Sequence, residues 1–186
     1  MDYILYFFIF SFAGWVLETA YASFEAKRFV SKQTLLKSPM CPIYGAGAVA
    51  MIIALLPVSQ SVVLVFCGGF FVASSVEYLV GAFYEYKFGV MWWDYRSKRA
   101  NLGGKVAADM SVLWGIIAIF FFKFMFPAAE RLVSSLDNYE KLIISAVLVF
   151  YFISDYKNTL KDLKKYINGE SSFAESRFAA LKKIGA

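Results

Sequence analysis

Two glutamates lie inside long apolar stretches of the sequence. Glu18 is the only charged residue of Tyr3–Phe24, and Glu77 is the only charged residue of Ser61–Phe83. An ionisable side chain in a membrane helix costs at least ~2.5 kcal/mol on insertion scales, so each of these residues calls for a functional explanation. Carboxylates in such a place can transfer protons or bind a cation.

Both glutamates share a helical face with small residues, which let neighbouring helices approach closely. The two rows, spaced by three and four residues, are Ser11, Gly14 and Glu18, and Gly69, Ala73, Glu77 and Gly81. We therefore predict that Glu18 and Glu77 point into a helical bundle. Two hypotheses stay open: a ligand-binding pair, or structural pairing with Arg96, Arg99, Lys105 or a bound ion. A divalent cation held by oxygen ligands is compatible with these acids as a cofactor, but no residue spacing in the sequence requires a metal ion.

An aromatic and acidic loop, Trp92-Trp93-Asp94-Tyr95, is followed at a short distance by Asn101. Aromatic rings at a membrane boundary are typical of an interfacial belt. The carboxylate among them also fits a site that holds a cationic ligand by cation–π contact. A purely structural loop clamp explains the same residues equally well.

The composition indicates a membrane protein and excludes several kinds of site. Of 186 residues, 60% are hydrophobic and 18% are charged, against roughly 45–50% and about 25% in soluble domains. The absence of His excludes His-based zinc sites and Ser-His-Asp triads. No Gly-x4-Gly-Lys-Ser/Thr motif is present, so ATP hydrolysis needs a separate subunit.

Five apolar segments predict an all-α, polytopic membrane protein. A crossing needs about 20 apolar residues to span a core of ~30 Å. The predicted helices cover about 3–24, 42–58, 61–83, 106–126 and 142–156 of a transmembrane domain at 1–154. A four-helix alternative makes the second segment re-entrant.

The basic residues predict the orientation. Sixteen Lys and Arg fall in the connections and tail on one side of these five crossings, and two fall on the other. The positive-inside rule places the sixteen in the cytoplasm, giving an N-out, C-in protein of the cell membrane. The net charge of +5 is then an anchor at the lipid surface, and we expect no nucleic-acid partner.

The tail at 155–186 reads as a basic, amphipathic cytoplasmic segment. An apolar stripe begins at Phe152, just before the tail, and continues at Tyr156, Leu160, Leu163 and Ile167. Gly169 is expected to break the helix, and Ser172–Glu175 has the form of a capping box that opens a last helix. The tail either lies on the inner leaflet or docks a cytoplasmic partner.

A set of motifs resembles one bacterial family, labelled Putative ABC-transporter type IV or CmpB-like. The motifs are Phe12–Glu18, Cys41–Gly47, Glu77-Tyr78 with Gly81 and Glu85, Trp92–Tyr95, and Asn101, Gly104, Ser111, Trp114 and Gly115. The resemblance covers roughly residues 12–115, with the tail after about Leu142 expected outside it. It implies a polar, inward-facing pocket at the cytoplasmic ends of the first four helices, closed by the aromatic loop. The candidate ligand-binding residues are Glu18, Glu77, Trp92, Trp93, Asp94, Tyr95, Asn101, Trp15 and Tyr44.

The function predicted first is that of a small, permease-like transport component in a bacterial plasma membrane. It would act as a homo-oligomer or with a partner membrane or ATPase subunit. The alternatives are an intramembrane enzyme or lipid- or cation-binding protein that uses Glu18, Glu77 and Asp94, and a regulatory or scaffold protein that acts through its tail. The lack of His and of an activated nucleophile argues against the enzyme.

Overall fold

The computed structural model describes residues 1–29, 36–169 and 182–183. Its helices are α1 Asp2–Ala26, α2 Pro42–Leu55, α3 Val62–Phe88, α4 Ala108–Phe120, α5 Phe126–Ser134 and α6 Asn138–Ile167. A 3-10 turn, Leu56–Val58, extends α2, and a π-helical turn, Phe121–Met125, joins α4 to α5. Two-residue strands β1 Val90–Met91 and β4 Lys182–Lys183 pair antiparallel, as do β2 Asn101–Leu102 and β3 Val106–Ala107. The predicted helical fold is confirmed.

The helix ends follow from local sequence. Pro42 stands in the first turn of α2, where its missing N–H costs no hydrogen bond. The Ser61 side chain caps the start of α3, and Gly89 ends that helix with a φ of 63°, in the left-handed region. Asp137 and Glu140 form a reciprocal capping box at the start of α6.

Three described helices are long and apolar enough to cross a bilayer. They are α1, α3 and the continuous helix Ala108–Ser134, which α4, the π-helical turn and α5 form together. The helix Pro42–Val58 is apolar but shorter, and α6 is 30 residues long with many lysines in its second half. Membrane-capable helices are therefore present as predicted. The count of five crossings, its four-helix alternative and the N-out, C-in orientation stay predictions.

The long helices expose many large apolar side chains. On α3, Val63, Phe71 and Leu79 are 70%, 67% and 66% exposed, whereas Glu77 on the same helix is 5% exposed. An apolar exterior suits a lipid environment, because lipid chains provide no hydrogen-bond partners for exposed polar groups.

Small residues set the distances between neighbouring helices, which pack in the order α1, α2, α3, α4. A Cβ atom added at Gly45 of α2 would overlap the Ser11 side chain of α1. One added at Gly69 of α3 would overlap Ala118 of α4. The small face predicted around Ser11 and Gly69 is thus the one on which the helices meet.

A single helix, α6, covers both the predicted fifth crossing and the start of the predicted tail. The Phe152 ring packs edge-on against Phe8 of α1, with ring centroids 5.9 Å apart. Leu163 is fully buried and packs with Tyr84 of α3. The apolar stripe predicted for this segment therefore contacts the helical bundle.

The end of α6 agrees with the sequence expectation. The helix stops at Ile167, and Gly169 has a φ of 72°. The predicted last helix, opened by Ser172–Glu175, lies outside the described residues. The division at residues 154 and 155 stays a prediction.

A carboxylate cluster at one end of the bundle

The first glutamate, Glu18, is bonded by a tyrosine from the next helix. The Tyr44 hydroxyl donates a hydrogen bond of 2.7 Å to Glu18 Oε1. Gly14, one turn before Glu18 on α1, makes room for the ring, because a Cβ atom there would overlap Tyr44. Gly14 and Glu18, on one face of α1, thus accommodate the ring and the hydroxyl group of Tyr44.

The second glutamate, Glu77, is buried and accepts hydrogen bonds on both oxygens. The Tyr95 hydroxyl donates to Oε1 at 2.9 Å, and the Trp114 indole N–H donates to Oε2 at 3.2 Å. Tyr95 comes from the loop after α3, and Trp114 comes from α4. Neutral donors from two other segments therefore hold this carboxylate.

The cations of the loop pair with other acids. Lys105 pairs with Glu85, Arg96 Nε donates to Asp94 Oδ1 at 3.0 Å, and Lys98 pairs with Asp109. Arg96 and Lys105, two of the expected partners, therefore pair with acids other than Glu77. Glu85 lies two turns further along α3 than Glu77, at the end of the helix near the loop.

The two glutamates belong to one connected group. The Tyr44 and Trp114 rings meet edge-on with centroids 6.0 Å apart. Burial raises the pKa of the Tyr95 hydroxyl, as do Glu77 and, to a smaller extent, Asp109 and Glu18. The ring contact therefore connects the donor of Glu18 to one donor of Glu77. The residues Glu18, Tyr44, Glu77, Tyr95 and Trp114 are called the carboxylate cluster below.

The β2–β3 hairpin positions Tyr95. The Tyr95 backbone N–H donates to Gly104 O at 2.8 Å. The Asn101 side chain donates to Lys98 O at 2.8 Å and accepts from Gly104 N at 3.0 Å. Gly104 has a φ of 71°, and a Cβ atom there would meet Arg96 Cγ at 2.7 Å. Asn101 and Gly104 are thus structural residues of the loop.

Two other predicted site residues also hold the loop in place. The Trp93 indole N–H donates to Lys105 O at 2.8 Å. Asp94 Oδ1 accepts from both the backbone N and Nε of Arg96, each at 3.0 Å. These contacts favour the structural clamp over the cation–π site for Trp93 and Asp94.

The remaining two predicted residues make other contacts. Trp92 packs against the group that contains Tyr84 and Leu163, on the side of α6. The Trp15 ring stacks on Phe12 of its own helix, with centroids 5.8 Å apart. Of the predicted residues, the structure thus brings Glu18, Tyr44, Glu77 and Tyr95 together.

The site prediction missed Trp114 and Asp155. Trp114 lies three residues after Ser111 and one before Gly115, so helical spacing already placed it beside the small face of α4. Ser111 on that face accepts a hydrogen bond of 2.7 Å from the Ser74 hydroxyl of α3. Asp155 had no such signal, because its partners lie 117 and 118 residues away in the sequence.

The depressions on the described surface lie on α6, away from the carboxylate cluster. Two shallow depressions, of about 350 and 330 Å³, both involve α6 and share Lys164. Among residues 1–29 and 36–169, no group of three or more Asp, Glu and Cys is placed to hold a metal ion. The polar pocket and the divalent cation both stay predictions.

The fold and the cluster define a helical membrane protein with one buried carboxylate, Glu77, and one half-buried carboxylate, Glu18, at one end of its bundle. The chain belongs to the family described as Putative ABC-transporter type IV, which matches residues 5–160. The expectation that the resemblance ends before about Leu142 was wrong, since the match includes most of α6. No curated protein and no solved structure matches the chain.

Proposed function

We propose that the protein is a permease-like transport component in which the carboxylate cluster holds a positively charged substrate or a coupling cation. The proposal rests on Glu77, which is 5% exposed on a membrane-capable helix and is hydrogen-bonded by neutral groups. A buried, ionised carboxylate without a cation is strongly unfavourable. A proton or a cationic substrate would supply the missing charge.

The arrangement of the donors supports transport over a static role. Tyr95 is on a loop, Trp114 is on α4 and Glu77 is on α3. A relative movement of these three segments would change the hydrogen bonds of Glu77 and hence the energy of its charge. Alternating exposure of an ion site needs this kind of dependence on conformation.

The family supports a partner as well. With no P-loop in the sequence, ATP-driven transport would require an ATPase subunit, and a small helical chain would form its pathway as a homo-oligomer or with another membrane subunit. A bacterial plasma membrane is the proposed location. The apolar exterior of α3 provides a surface that can contact another subunit or lipid.

Proteoliposomes test the proposal. The purified protein is reconstituted with entrapped pyranine to follow proton flux, and uptake of radiolabelled tetramethylammonium is measured in parallel. We expect flux of at least one probe above that of protein-free vesicles, and its loss in Glu77→Gln, which keeps the shape of the side chain but removes the charge.

The matched control is Glu130→Gln, since Glu130 is exposed on α5. Its flux should equal that of the unchanged protein. Equal flux in Glu77→Gln and Glu130→Gln would contradict the role of Glu77. Adding a co-purified ATPase subunit and ATP then tests whether ATP drives the flux. An active, stable monomer would argue against the proposed homo-oligomer or complex with another subunit.

A further inference from the structure

Asp155 is a buried acid on α6 that the carboxylate cluster does not contain. It is 7% exposed. Its Oδ2 accepts hydrogen bonds from Ser38 N at 2.9 Å and from Ser38 Oγ at 2.6 Å, and its Oδ1 accepts from Lys37 N at 3.3 Å. Charge-assisted hydrogen bonds of this kind are about twice as strong as neutral ones. One carboxylate of α6 therefore fixes the end of the α1–α2 connection.

The segment held by Asp155 leads directly to the cluster. Met40 N donates to Ser38 O at 2.7 Å, and Cys41 N donates to Ser11 O of α1 at 2.8 Å. Pro42 then begins α2, and Tyr44 lies in its first turn. Residues 38–44 are thus attached at one end to α6 and in the middle to α1.

This geometry fixes the direction from which Tyr44 reaches Glu18. Ser11 and Glu18 are seven residues apart on α1, which is two helical turns on one face. The tyrosine has little freedom to adjust, because Gly14 contacts its ring with no space for a Cβ atom. A shift of residues 38–41 would therefore move the Tyr44 hydroxyl relative to Glu18.

We infer that Asp155 is a positioning residue of the carboxylate cluster, through which α6 sets the Tyr44–Glu18 hydrogen bond. The consequence for transport rests on the proposed function. The positioning of Tyr44 by Asp155 rests only on the contacts given above. Through this link a ligand or partner bound to α6 would change the cluster without touching it.

A second contact between the same segments provides the comparison. Lys37 Nζ lies 2.9 Å from Asp162 Oδ2, with side chains 49% and 25% exposed. Ion pairs at such a surface contribute little. Asp162 is thus a more exposed acid on the same helix, and it contacts the same connection through an ion pair.

The reactivity of the Cys41 thiol reports how often residues 38–41 open to solvent. Both cysteines are free thiols. Cys67 is replaced by Ala so that Cys41 alone reacts. The rate of Cys41 alkylation by N-ethylmaleimide is then measured in detergent by mass spectrometry. We expect Asp155→Asn and Asp155→Ala to raise the rate about tenfold or more, since lost hydrogen bonds increase local opening. Asp162→Asn should leave the rate within about twofold.

A milder variant covers the case in which Asp155→Ala does not fold. Ser38→Ala removes the 2.6 Å hydroxyl bond alone and should raise the rate of Cys41 alkylation to a smaller extent. Equal alkylation rates in the unchanged protein, Asp155→Asn and Ser38→Ala would overturn the inference.

The proteoliposome assay separates positioning from general loss of structure. If Asp155 acts through Tyr44, Asp155→Asn and Tyr44→Phe each reduce flux, and the double variant is no worse than the more impaired single one. Additive losses would contradict the link. If the unchanged protein carries neither probe, the proposed function fails, while the alkylation rates still decide the role of Asp155.

Discussion

The Tyr95 hydroxyl donates a 2.9 Å hydrogen bond to Glu77, a residue 18 positions earlier in the sequence. The bond folds the connection after α3 back onto the helix from which it leaves. Because Trp114 of α4 bonds the other oxygen of Glu77, this carboxylate joins three segments at one end of the bundle.

Tyr95→Phe removes one donor to Glu77 and leaves the ring in place. We expect the free energy of unfolding to fall by about 1–2 kcal/mol, the range of hydrogen bonds to charged groups and in membrane bundles. Urea unfolding in detergent, followed by circular dichroism, measures the change. Tyr86→Phe is the control, since Tyr86 is 92% exposed on α3, the helix that carries Glu77. Similar losses in both variants would contradict the importance of the Tyr95–Glu77 bond.

Stability at alkaline pH should also depend on Tyr95. Burial and the adjacent Glu77 raise the pKa of its hydroxyl in the folded protein. Its contribution is complete below the unfolded-state pKa of about 10 and is lost as the pH rises toward the higher folded-state pKa. Unfolding measured from about pH 9 upward should show a steeper decline for the unchanged protein than for Tyr95→Phe. Identical slopes would mean that Tyr95 ionises alike in both states.

Gly14→Ala introduces a methyl group into the space of the Tyr44 ring. Overpacking of this kind typically costs about 1–3 kcal/mol, and the displaced ring would also lose its bond to Glu18. The control is Gly47→Ala on α2, where a Cβ atom meets nothing within 4 Å. That change should leave thermal stability equal or slightly higher, because Ala favours the helix. If Gly14→Ala were stable and Gly47→Ala were destabilised, Gly14 would not be the glycine at which the Tyr44 ring excludes a methyl group.

The two loop lysines should differ in their effect on stability. Lys105 is 11% exposed in its side chain and pairs with Glu85, whereas Lys98 is 37% exposed and pairs with Asp109. Lys105→Met leaves a partly buried acid without its cation and should lower the melting temperature clearly. Lys98→Met should change it little, since solvent screens the exposed pair. Thermal unfolding in detergent would show equal shifts if burial at Lys105 were unimportant.

The orientation is tested with single cysteines and a membrane-impermeant maleimide. With Cys41 and Cys67 replaced, Gln60→Cys in the α2–α3 connection should react in intact cells. Ser97→Cys in the α3–α4 connection should react only after permeabilisation. Both residues are exposed, so access to reagent is not limited by the fold. The reverse pattern would invert the proposed N-out, C-in topology, and labelling of both sites from outside would remove a crossing.

Much of the helical architecture could be predicted from the sequence. Apolar length predicted the three membrane-capable helices, since a helix in lipid satisfies its own backbone and needs no distant partner. Spacing also predicted that Glu18 and Glu77 lie on the small faces of α1 and α3, and Glu77 is indeed buried. Such signals are local, because helical periodicity repeats within a few residues.

The partners of those acids were decided by the tertiary structure. Charge complementarity suggested a basic partner for Glu77, yet Lys105 and Arg96 pair with other acids, and Tyr95 and Trp114 occupy both oxygens of Glu77. The link from Asp155 to Ser38 joins residues 117 positions apart. Which donor reaches a carboxylate depends on loop paths and on the close contact of helices, and neither is encoded in a short stretch of chain. The sequence by itself therefore determined that Glu77 faces the bundle, and only the packing of the segments decided what stabilises its charge and that Asp155 is buried as well.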